Sequence, residues 1–163
     1  MKLQLQLDRP LVVFDIESTG VNARQDRIIE LAAIRVETDG TDVTIFASGI
    51  MVHEALQAAA SLEQQGISAA VVDCYSIKPL DTDTVTAMAI KTGAAVVAEN
   101  ANRHGGLYSA VLEVLAENCP VPAACVAVED EFGEVGSQSY LQQRFGLTAA
   151  HIEEQAKAVI ARK

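Results

Sequence analysis

Asp15 and Glu17 stand two residues apart at the end of the apolar run Leu11-Val12-Val13-Phe14. Such a run predicts a strand, and the two-residue period of a strand turns both carboxylates to one face. Two like charges side by side are costly unless a cation or a set of donors compensates them, and Mg2+ or Mn2+ is the natural partner. Two other places offer backbone chemistry. Ser48-Gly49 follows an apolar run and opens a helical one, and Gly105-Gly106 stands before another. Free N–H groups at such helix starts can hold a phosphate or sulfate. Neither place has GxGxxG or P-loop spacing, and glycines there serve tight turns equally well.

Other chemistries are poorly served. Cys74, Cys119 and Cys125 are odd in number and lack CxxC spacing, which argues against a disulfide framework and a zinc site. Their apolar neighbours predict buried thiols in a reducing compartment. His53 falls near the apolar face of a predicted helix, and His151 neighbours Glu153 and Glu154 on the surface of another. No Ser-His-Asp order or Cys-His pairing emerges. The acidic cluster Glu129 to Glu134 reads as a solvated loop.

The elements that would position these groups alternate in type. Leu11–Phe14, 28–37 and 43–47 read as strands, with Thr38-Asp39-Gly40-Thr41 as a tight turn that makes an antiparallel hairpin of the last two. Val52, Ala55, Leu56, Ala59 and Leu62 then follow helical spacing up to Gly66. Strands are expected at 69–72, 94–98 and 125–128, and helices at 83–92, 107–118, near Tyr140, and from Thr148, a plausible N-cap, to about 161. Repeated strand–helix–strand units with continuous apolar strands predict an α/β, three-layer fold with a mostly parallel sheet.

Half of the 163 residues are apolar, enough for one sizeable core, and only 4% are aromatic, so small and β-branched side chains must fill it. Net charge is −10, of which residues 40–163 carry −8, seven basic against fifteen acidic residues. An acidic surface without a basic stripe disfavours nucleic acid as a partner. No apolar run approaches the ~18 residues of a membrane span, and the alternating start Met1 to Pro10 lacks a signal-peptide core, so a cytoplasmic location is expected.

Two stretches resemble known families. Val13-Phe14-Asp15-Ile16-Glu17-Ser18-Thr19-Gly20, followed by Asp26-Arg27-Ile28-Ile29-Glu30-Leu31-Ala32-Ala33-Ile34, looks like the first motif of DEDD-type 3′–5′ exonucleases, over roughly residues 7–37. That resemblance implies divalent-ion binding at Asp15 and Glu17. The family's further acidic residues and its general-base His or Tyr are missing downstream, which argues against a working nuclease.

The longer stretch resembles the C-terminal domain of transketolases. It is carried by Asp42 to Val52, Gly66-Ile67-Ser68, Ser76-Ile77-Lys78-Pro79-Leu80-Asp81, Gly105-Gly106-Leu107, Ala116 to Pro122, Phe132-Gly133-Glu134 and Phe145 to Ile152, in family order. It departs at Ala101, where a His is frequent, and at Tyr108, where a Gly is usual. The resemblance implies a mostly parallel sheet with one antiparallel edge strand, for which 28–37 is available. Two units are therefore expected: an exonuclease-like segment over 1–40 that supplies edge strands, and a transketolase C-terminal-like domain over 41–163, as in a fusion.

Thiamine diphosphate and Mg2+ are implied for a complete transketolase, where other domains hold them, and this chain lacks those domains. The expected role is thus a non-catalytic structural or assembly module of a two-carbon transferase. Its partners would be further copies of itself, or thiamine-binding domains supplied by another chain. The alternatives are a metal-dependent exonuclease fragment using Asp15 and Glu17, and a small phosphate- or nucleotide-binding module using Ser48, Gly49, Gly105 and Gly106.

Overall fold

The structure is a computed structural model that describes the backbone of residues 11–18 and 28–163 and the side chains from residue 36 onward. Six strands, β1 (Leu11–Ser18), β2 (Ile28–Thr38), β3 (Val43–Ala47), β4 (Ala69–Cys74), β5 (Ala95–Asn102) and β6 (Ala123–Val128), form one sheet in the order β1-β2-β4-β3-β5-β6. β4, β3, β5 and β6 run parallel, β2 is antiparallel to β4, and β1 is antiparallel to β2.

Helices cover both faces of the parallel part, which is why β3 and β4 are buried at every position. Val43, Ile45 and Ala47 of β3 face α1 (Met51–Glu63) and α5 (Ala149–Ile160), packing with Met51, Ala55, Leu62, Ile152 and Val159. Phe46, on the opposite side by the strand's period of two, packs with Val85 of α2 (Thr82–Thr92) and with Val111 and Leu115 of α3 (Leu107–Asn118). Thr44 on that side is fully buried, yet its hydroxyl is satisfied by the Met88 carbonyl at 3.1 Å and the Thr92 hydroxyl at 2.8 Å.

Local signals in the chain set the helix ends. Asp81 caps α2 by accepting from Thr84 N at 2.9 Å, and Gly93 closes it. Thr148 caps α5 as its sequence position predicts, accepting from His151 N at 3.3 Å. A short helix, α4 (Gln138–Arg144), buries none of its residues.

α5 is tied to α1 by Glu153, which accepts from Ser61 Oγ at 2.7 Å and Gln65 Nε2 at 2.9 Å. Bonds from Lys157, Ser61 and Gln65 pull the Glu153 carboxyl from its ordinary value near 4.5 to about 2. The folded-state value is the lower one, so the stabilisation is complete above pH 4.5 and drains away as pH falls toward 2. In acid titrations of stability, Glu153→Gln is expected to flatten the dependence within that window. An unchanged slope would remove Glu153 from the acid response.

The expected hairpin between 28–37 and 43–47 does not form. β2 pairs with β4, so β4 lies between β2 and β3 and the 38–42 segment crosses over its start. The physical reason is a local exchange of ladder bonds. Thr38 Oγ1 donates to Ala69 O at 3.0 Å and accepts from Val71 N at 2.8 Å, while Thr41 N and Asp42 N both donate to Ser68 O. Gly40 fits against the β4 backbone so closely that an added Cβ would stand 2.1 Å from Ala69 C. Nor is 28–37 the outermost strand: β1 lies outside it, and the antiparallel part of the sheet is two strands wide.

Candidate functional site

β3 leads through α1 to β4 on one side, whereas β5 and β6 lie on its other side. The direction of winding therefore reverses between β3 and β5, and in open α/β sheets ligands gather beyond the strand ends at such a point. Ser48-Gly49 and the segment Glu99 to Gly106 meet there: Gly49, at φ 57°, turns the chain into α1 with Asn100 Oδ1 3.5 Å from the position a Cβ would take.

The backbone donors at this crevice are largely engaged. Ser48 N donates to Ala98 O, and Met51 N and Val52 N close a tight first turn onto Ser48 O and Gly49 O, all at 3.2 Å. At α3 the chain supplies its own anion. Glu99, 1% exposed, accepts from Leu107 N at 2.8 Å and Tyr108 N at 2.9 Å, filling the positive end of the helix. Gly106 permits this, since a Cβ there would lie 2.1 Å from Glu99 Oε2. The two donors that follow Gly105-Gly106, Leu107 N and Tyr108 N, are thus occupied by a carboxylate, and Gly105 N donates to Ser109 Oγ at 2.8 Å.

Glu99 is the residue that sequence reasoning missed as a structural anion. The available signal was an acidic residue ending a fully apolar strand, Ala95 to Ala98, shortly before a glycine pair and a helix. The side chains of Asp15 and Glu17 fall outside the described residues; β1 pairs Asp15 with Ala32 and Glu17 with Glu30 along the backbone. Among the described residues, no group of three or more His, Cys, Asp or Glu could hold a metal ion.

Two of the three histidines take structural partners. His151 Nδ1 lies 2.9 Å from Gly146 O, and His53 Nε2 lies 2.6 Å from Gln57 Nε2. Burial pushes the Cys74 thiol far upward and, with Glu99 nearby, takes the Cys125 thiol up to about 12, so neither is poised as a nucleophile. Among the described residues, no helix is long and apolar enough to cross a membrane.

The acidic loop after β6 is braced from two sides. Arg103 pairs with Glu129, while Arg144 bridges Glu131 at 2.8 Å and Glu134 at 2.7 Å. Tyr140 donates its hydroxyl to Glu134 at 2.7 Å. Beyond this bracing, Phe132 and Val135 are wholly exposed, at 97% and 102%.

The start of α3 is not free to hold thiamine diphosphate. A diphosphate and its metal need free N–H donors together with a convergent oxygen set. At the start of α3, Leu107 N and Tyr108 N are taken by Glu99.

Residues 32–152 match the family described as Transketolase, C-terminal domain, from within β2 to within α5. The chain is 54% identical over 157 residues to the 6-deoxy-6-sulfo-D-fructose transketolase subunit SqwH of Clostridium sp. (strain MSTE9), covering 96% of this chain and 46% of that protein. It is 35% identical over 161 residues to the 1-deoxy-D-xylulose-5-phosphate synthase of Heliobacterium modesticaldum, covering 96% of this chain and 25% of that one. Among solved structures, a split gene transketolase described as an inactive beta4 tetramer superposes with TM-score 0.76 at 44% identity, over 78% of this chain and 42% of that one. A transketolase from Leishmania mexicana shares the fold, with TM-score 0.60 at 20% identity, over 79% of this chain and 18% of that one.

The chain thus spans less than half the length of these relatives. The exonuclease resemblance of residues 7–37 finds no support, and the family match already takes in residues 32–37. The SqwH match leaves about six residues of this chain uncovered, so similarity runs across 37–41, where a fusion joint was expected. By the match over residues 32–152, the chain belongs to the transketolase C-terminal domain family.

Proposed function

We propose that this chain serves as a structural and assembly module of a thiamine-diphosphate-dependent two-carbon transferase. The thiamine-binding domains come from the remainder of a longer polypeptide or from a partner chain. The observation that carries this reading is the closed helix start at Glu99, in a domain matched to the C-terminal portion of transketolases. The relatives' names support the setting: SqwH is a 6-deoxy-6-sulfo-D-fructose transketolase subunit, and Phocaeicola vulgatus has a related apulose-4-phosphate transketolase subunit. Sugars carrying an anionic group are the substrate class this favours. Cytoplasmic location and assembly into multi-chain particles belong to the same reading.

The test is reconstitution. The purified chain with thiamine diphosphate, Mg2+ and ketose donors is expected to show no turnover, and activity should appear once thiamine-binding domains are added. Turnover by the chain alone would overturn the proposal. In the same preparation, Mn2+-dependent cleavage of a single-stranded oligonucleotide that is lost in Asp15→Ala would restore the nuclease alternative.

A further inference from the structure

Seven large apolar side chains are prominently exposed among the described residues: Ile50, Tyr75, Ile77, Ile90, Phe132, Val135 and Tyr140. Ile50, Tyr75, Ile77, Phe132 and Val135 lie in the segments that follow the C-terminal ends of the parallel strands β3, β4 and β6, toward one end of the sheet, and Tyr140 lies in α4, bonded to the loop after β6. Clustered exposure of this kind marks an interaction surface, whereas scattered single residues do not. Phe132 and Val135 stand out within it, on a loop that Arg103, Arg144 and Tyr140 hold in shape. An aromatic anchor on a braced loop loses little freedom on docking, which favours a binding hot spot.

The charge around these tips selects the occupant. Glu129, Asp130, Glu131 and Glu134 outnumber Arg103 and Arg144, leaving the braced loop net negative on a chain that is itself −10. A second copy meeting this loop would oppose acid to acid. We propose that the 129–137 loop is the plug by which this domain seats on the thiamine-binding domains, in an apolar socket flanked by Lys or Arg. The inference rests on the assembly reading above and adds the surface and the chemistry of its partner.

Thiol labelling tests it. Phe132→Cys, Val135→Cys and Ile90→Cys are each reacted with a maleimide, in the chain alone and in the enzyme assembled with its thiamine-binding domains; the unsubstituted chain supplies the background from Cys119 and Cys125. All three sites are exposed, so each variant keeps the parent fold and reacts readily in the isolated chain. Assembly is expected to slow labelling at 132 and 135 at least tenfold and to leave 90 unchanged. Phe132→Ser with Val135→Ser should weaken assembly at least tenfold, and so should raised salt. An assembled, active enzyme whose 132 and 135 sites label at the isolated rate would overturn this inference alone. Failure to assemble at all would remove the assembly reading with it. Protection that grows with the concentration of the isolated chain would assign the loop to self-association and overturn the heterologous plug.

Discussion

Gly40→Ala is expected to destabilise the fold by about 3 kcal/mol, the upper end of what overpacking costs. Replacing glycine by alanine at an unstrained surface position ordinarily stabilises by about 0.4–1 kcal/mol, through the unfolded chain. Here the sign reverses. The new methyl would lie 2.1 Å from Ala69 C, 2.3 Å from Ala70 N and 2.6 Å from Ala69 O, all backbone atoms of β4. No rotamer change relieves such a contact, so either the 38–42 crossover or the β2–β4 ladder must move. Chemical denaturation measures the loss. A variant as stable as the parent would show that Gly40 does not sit against β4 as described.

The second large effect is expected at Glu99. Its removal in Glu99→Ala leaves Leu107 N and Tyr108 N without acceptors at a buried helix start, a loss of about 3 kcal/mol. Glu99→Gln should recover little, because one of its two terminal groups then presents a donor to a donor. The neighbouring glycine supplies an independent check. The three atoms nearest a Cβ added at Gly106 all belong to the Glu99 side chain, the closest at 2.1 Å. Gly106→Ala is therefore expected to cost about 2 kcal/mol in the parent and less than about 0.5 kcal/mol in a Glu99→Ala background. Additive costs in that double-mutant cycle would refute a contact confined to this pair.

Much of the fold is legible from local patterns. The runs Val43 to Ala47 and Ala69 to Val72 read as strands, and Gly93 and Thr148 mark helix ends by their own chemistry. Strand order is not local. The turn at 38–41 has the composition of a hairpin, yet its threonine bonds to a strand 31 residues away. The site shows the same division. Ser48-Gly49 and Gly105-Gly106 are recognisable as helix starts at strand ends. That the donors at the start of α3 are already taken depends on Glu99, which belongs to a neighbouring element and reads in sequence as the opening of a polar turn. The bracing of Phe132 and Val135 by Arg144 likewise joins a loop to a helix that the alternation of apolar residues leaves unrelated.

The position of β4 between β2 and β3 also bears on biosynthesis. A ribosome releases the chain from its amino end, so β2 emerges well before the strand it must pair with. At about 5–20 residues per second, the 31-residue separation of Thr38 and Ala69 amounts to a wait of roughly 2–6 seconds. During that interval β2 presents the edge meant for β4 unpaired to neighbouring nascent chains on the same messenger, an exposure that chaperones would serve to shield.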